Sequence, residues 1–130
     1  MPLCLAAGTL VATLAAPAFT LAWTHSIEKI RWEEDWRIAG DRLEIVAARV
    51  RGSGAGMEPP AGAILRDGTW HYRPDVPPMA SLELTHSRHV PEYELCIGPE
   101  CRPLRERLPG LAGDSVVKIS PCAGSTAPGW

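Results

Sequence analysis

Residues 19–38 read FTLAWTHSIEKIRWEEDWRI, and no other stretch constrains the fold as strongly. Phe19, Leu21, Trp23, His25 and Ile27 alternate with Thr20, Ala22, Thr24 and Ser26. A period of two is that of a half-buried β-strand. After Glu28 and Lys29, a second alternation sets Ile30, Trp32, Glu34, Trp36 and Ile38 against Arg31, Glu33, Asp35 and Arg37. Together the runs predict a hairpin with its turn centred on Lys29 and Ile30. In that register Trp23 faces Trp36, His25 faces Glu34 and Ile27 faces Trp32, all on one side of the pair. A slip by one residue would set Trp23 against Asp35 or Arg37.

Glu34 therefore falls on the apolar face of its strand. A buried carboxylate requires a partner, and His25 is the nearest candidate. The carboxylate favours the imidazolium form, so the pair is either ionic or a neutral hydrogen bond. Two readings fit it: a structural tie within the hairpin, or part of a ligand-binding or catalytic site. Ser26 points to the opposite face from His25, so the two do not form a nucleophilic dyad on a regular strand.

A length of 130 residues corresponds to one domain, placed at residues 1–122 with a tail at 123–130. The net charge of -2 and the lack of a long basic run give no argument for a nucleic-acid partner. The chain carries 13 prolines and 12 glycines spread along its length, and no window shows a long helical period. The predicted class is all-β: a small antiparallel sandwich or partly open barrel of about eight or nine short strands built from hairpins.

A Gly40-Asp41 turn leads into a strand over 43–50. Glycines then cluster at 52–56, ahead of Pro59 and Pro60. Such a loop either offers backbone amides to an anion or supplies positive φ angles for a bulge or turn. It lacks the Lys-Ser/Thr ending of a phosphate loop. Asp67-Gly68 between 63–66 and 69–72 is a type I′ hairpin signal. Further strands are predicted over 82–85, 93–97 and 116–119, with a helical turn over 103–108.

Cys96 and Cys101 enclose 97–100, a hairpin loop whose facing cysteines a disulfide can span. Cys4 and Cys122 then join the first and last strands. Sequence proximity selects this pairing from the three that four cysteines allow, and it requires an oxidising compartment. Two alternatives remain open: a zinc site, poorly matched by the C-x4-C spacing, and four reduced buried thiols. The other histidines, His71, His86 and His89, read as surface or core residues. No cofactor and no metal site is indicated.

No charged side chain occurs in the first 27 residues. The run reads as a signal peptide ending near Ala16-Pro17-Ala18, as a membrane span interrupted by Gly8 and Pro17, or as a hairpin turning at Ala7-Gly8.

The ordered set Phe19, Leu21, Trp23, His25, Ser26, then Glu34 with Trp36, then Gly54, Ala55 and Gly56, resembles the bacterial domain-of-unknown-function family 1850 over about Leu3 to Cys122. The resemblance implies a small β-domain. It also implies a hairpin ahead of the signature strand, which favours the hairpin reading of the N-terminus. Genes of the family tend to accompany those of tripartite ATP-independent periplasmic (TRAP) transporter permeases. The implied role is a non-enzymatic, extracytoplasmic accessory or binding component at the periplasm or envelope. Its partners would be the permease, its solute-binding protein or a small organic anion, with His25, Ser26, Glu34, Gly54, Ala55 and Gly56 as binding residues. The alternatives are a small hydrolase using His25 and Glu34 as acid and base, and a metal-binding module.

Overall fold

The computed structural model describes residues 2–24, 30–51, 62–87 and 92–122. In chain order these residues form β1 (Leu3–Ala7), β2 (Leu10–Leu14), β3 (Ala18–Thr24), β4 (Arg31–Ala39), β5 (Arg42–Arg51) and β6 (Ile64–Arg66). They continue with β7 (Thr69–Tyr72), β8 (Leu82–His86), β9 (Glu94–Ile97), β10 (Glu100–Pro103), α1 (Leu104–Arg107) and β11 (Ser115–Pro121). The strands make two antiparallel sheets, a four-stranded one in the order β2-β1-β11-β8 and a seven-stranded one in the order β10-β9-β3-β4-β5-β7-β6. Leu3, Leu5, Val117 and Ile119 from the first sheet meet Phe19, Leu21, Trp36, Leu43, Ile45 and Leu95 from the second in one buried cluster. The architecture is an all-β sandwich. Its described strands number eleven, more than the sequence suggested, because pieces such as β10 are short and carry Pro103 and two charges.

The uncharged N-terminus is a hairpin. Leu3, Leu5 and Ala7 are buried and alternate with half-exposed Cys4 and Ala6. Gly8 takes a φ of 59°, which a side chain would resist, and turns the chain into β2. Central placement of β1 between β2 and β11 leaves its apolar side chains fully covered.

The β3–β4 register differs from the expected one. Trp23 faces Trp32, Leu21 faces Glu34 and Phe19 faces Trp36. The slip is by an even number of residues, so every side chain keeps its face and the alternation itself could not detect it. Two aromatic pairings favour the observed alignment. Phe19 and Trp36 lie with ring centroids 6.5 Å apart and nearly parallel, and Trp23 and Trp32 do so at 6.2 Å. The expected alignment would have set Phe19 against Gly40. His25, Ser26 and the expected turn at Lys29 lie outside the described residues.

A bulge between Asp35 and Trp36 lets Val46 pass unpaired, with Trp36 opposite Ile45 and Asp35 opposite Ala47. Leu43 and Ile45 are buried before the bulge, Ala48 and Val50 after it. This change of parity explains why 43–50 shows no clean alternation. At the Asp67-Gly68 turn both residues take positive φ, 52° and 76°, as the type I′ signal requires. The helical turn over 103–108 is α1, whose Arg107 donates to the carbonyls of Leu95 and Glu100 and ties the helix to the β9–β10 hairpin.

Cys96 pairs with Cys101 across β9 and β10, and Cys4 with Cys122 across the ends of β1 and β11. No described cysteine is free. The two bridges close loops of very different size, with sequence separations of 118 and 5. On the chain-entropy account, removing the long one by Cys4→Ser with Cys122→Ser costs about 5 kcal/mol and removing the short one about 2 kcal/mol. Urea unfolding of the two double variants without reductant checks the order; equal losses would contradict it.

Candidate functional site

Strand β4 presents opposite chemistry on its two sides. Its inward side carries Trp32, Glu34 and Trp36, and its outward side Arg31, Glu33, Asp35 and Arg37. On the inward side Glu34 lies in a cross-strand row with Leu95, Leu21, Ala48 and Tyr72. The neighbouring row holds Trp23, Trp32, Val50 and Trp70. Tyr93 sits 5.5 Å from Trp23 at a tilt of 57°. Glu34 is thus the acidic member of an aromatic and aliphatic surface. Burial pushes its carboxyl above the usual range, while the indole N–H of Trp36, donating to Oε1 at 3.1 Å, opposes the shift. The phenols of Tyr72 and Tyr93 are both raised by burial and, secondarily, by the charge of Glu34.

The outward side is a lattice of paired charges. Arg49 lies opposite Glu33 and donates to it at 3.0 Å, and it forks onto both oxygens of Asp35 at 2.7 and 2.9 Å. Thr20, opposite Asp35, donates to the same carboxylate at 2.7 Å. Arg31 joins Glu33 at 2.9 Å to Glu94 at 3.0 Å. The Arg49 hydrogen bonds hold Asp35 below the usual carboxylate range. Burial pushes Glu33 upward, but hydrogen bonds from Arg31 and Arg49 outweigh it and the net direction is down. Arg49 is raised, chiefly by its bond to Asp35.

This lattice floors a cleft of about 330 Å³ lined by Arg31, Glu33, Arg49, Arg51, Arg66, Asp67, Thr69 and His71. Within it Thr69 is the cross-strand partner of Arg51 on one side and of Arg66 on the other. Neither guanidinium makes an ion pair or hydrogen bond with another described residue. Among the described residues no group of three or more His, Cys, Asp and Glu side chains is placed to hold a metal ion. The cysteines a metal-binding reading would need are taken up in disulfides.

Of the residues proposed from sequence, Glu34 is on the inward face as expected, but Leu21 stands opposite it and Trp36 supplies its hydrogen bond. The expected position of His25 across from Glu34 belongs to the other register. His25, Ser26, Gly54, Ala55, Gly56 and His89 lie outside the described residues. Sequence reading missed Arg31, Arg49, Arg51, Arg66 and His71 as a group. The alternation of charges in β4 and the Arg-x-Arg at 49–51 were visible, but only strand pairing brings Arg66 and His71 beside them.

The motif residues that the structure describes, Phe19, Leu21, Trp23, Glu34 and Trp36, form one patch on β3 and β4. A family model described as a domain of unknown function (DUF1850) matches residues 19–104. The chain belongs to this family. The DUF1850 match runs from β3 to the first residue of α1. The sandwich adds β1, β2 and β11 from outside that span, three of the four strands of the smaller sheet. No curated protein and no solved structure matches the chain. Among the described residues, no helix is long and apolar enough to cross a membrane.

Burial that raises a carboxyl makes its ionised form a cost to the fold. The Glu34 contribution is favourable while the group is protonated, below its ordinary value of about 4.3, and is lost as pH rises through the raised folded value. Glu34→Gln keeps an acceptor for Trp36 and removes the charge. Thermal melts should show the variant more stable than the parent at pH 7, with the gap closing below about pH 4. A variant less stable at pH 7 would contradict this assignment.

Proposed function

We propose that this DUF1850 domain is a non-enzymatic binding component that acts outside the cytoplasm as an accessory to a TRAP-type transport system. The observation that carries the reading is the outward cleft: charged side chains held in fixed geometry on hydrogen-bonded strands and open at the surface. Rigid strands carrying half-exposed arginines make a recognition surface at small conformational cost, because the guanidinium forks of Arg31 and Arg49 are already oriented by carboxylates. On the inward face, the hydrogen-bond donor to Glu34 is an indole N–H, which fixes the carboxyl and does not exchange a proton with it at neutral pH. Two disulfides support an oxidising compartment. The tendency of family genes to accompany TRAP permeases supports the transport connection. The partner is the permease or its solute-binding protein.

The test is capture. Tagged domain, oxidised and folded, is incubated with detergent-solubilised TRAP permease and, separately, with the purified solute-binding protein encoded beside it. Retention of either, weakened by added salt as expected for a charged surface, supports the proposal. Retention of neither removes it.

A further inference from the structure

We infer that the outer cleft is an anion site that takes a small organic carboxylate, gripped by Arg51 and Arg66 on either side of Thr69. The inference deepens the reading of this cleft as the binding surface and rests on it. Its starting point is the division of the four lining arginines. Arg31 and Arg49 are committed to Glu33, Asp35 and Glu94. Arg51 and Arg66 have no such commitment to the other described residues. Arg51 ends β5, Arg66 ends β6, and both are paired with Thr69 of the strand between them. Directly opposed residues share a face, so both guanidinium groups and the Thr69 hydroxyl rise from the same side of the sheet. Two strand spacings separate the backbones of Arg51 and Arg66 by about 10 Å. Flexible side chains of that length converge over Thr69 onto a ligand of a few carbon atoms.

Charge and size narrow the ligand. Glu33 and Asp35 offset Arg31 and Arg49, and Asp67 offsets one of the remaining two cations. One positive charge is left over, so the cleft favours an anion, and the separation of Arg51 from Arg66 across β7 suits an acid with polar groups at both ends better than a compact phosphate or sulfate. Guanidinium binds carboxylate through two parallel hydrogen bonds, and Thr69 and His71 add polar groups at the wall. The volume of about 330 Å³ lies at the small end of ligand pockets, which run from about 300 Å³ upward. It suits a metabolite-sized acid and not a peptide.

The experiment is isothermal titration of the whole oxidised chain at low ionic strength with succinate, acetate, phosphate and sulfate. Succinate should bind, and Arg51→Ala with Arg66→Ala should weaken it about tenfold or more without lowering the melting temperature. The charge-conserving pair Arg51→Lys with Arg66→Lys should also weaken it, because lysine lacks the fork. Arg42→Ala, away from the cleft, should leave it unchanged. No heat with succinate, equal affinity in either double variant, or phosphate and sulfate binding as tightly as succinate would each overturn the inference. A chain that captures permease or solute-binding protein but ignores succinate contradicts this inference alone. A chain that binds succinate but captures neither protein contradicts the transport reading alone.

Discussion

Strand β4 lies between two partners, with β3 on one side and β5 on the other, and its side chains leave the sheet in opposite directions at every step. Residues 32, 34 and 36 must go to one face if 31, 33, 35 and 37 go to the other. The indoles settle which face is covered, because burying Trp36 removes a large apolar surface from water. Glu34 is carried inward with its neighbours. Arg31, Glu33 and Asp35 are carried outward as a set and can pair with Arg49. The covered aromatic face and the open charged cleft are therefore two results of one alternation.

Three successive carboxylates show how far that alternation controls chemistry. Glu33 and Asp35 end below the ordinary range because guanidinium hydrogen bonds offset their partial burial. Glu34, one peptide away from each, ends above it because its surroundings are Leu21, Ala48 and aromatic rings. Sequence position is nearly constant across the three; environment reverses the sign. The outer pairs are partly exposed, so each contributes modestly, and their main effect is to hold Arg31 and Arg49 in place. The bulge opposite Asp35 matters here as well. Without Val46 left unpaired, Arg49 would fall on the inward face and Ala48 on the outward one.

Much of this was legible in the sequence wherever a feature depended on local pattern. The period of two around Phe19 and Trp36 and the Asp67-Gly68 reversal follow from spacing and turn chemistry, both cysteine pairings from sequence proximity, and the N-terminal hairpin, one of three readings of its residues, from the family resemblance; the structure has them all. Register did not follow, because an even slip leaves every face unchanged and only the contacts of Phe19 with Trp36 and of Trp23 with Trp32 distinguish the alignments. That one ambiguity moved the predicted partner of Glu34 from Leu21 to His25. The parity change at Val46 was hidden in an unbroken apolar run. The cleft was invisible for a different reason: Arg51, Arg66 and His71 are separated by residues 52–61 and by a hairpin, and pairing alone unites them.

The β3–β4 register is the claim on which both faces rest, and nuclear Overhauser contacts between assigned aromatic side chains measure it directly. The account predicts contacts between the rings of Trp23 and Trp32 and between those of Phe19 and Trp36. Contacts joining Trp23 to Trp36 instead would contradict it, and would return Glu34 to a position opposite His25.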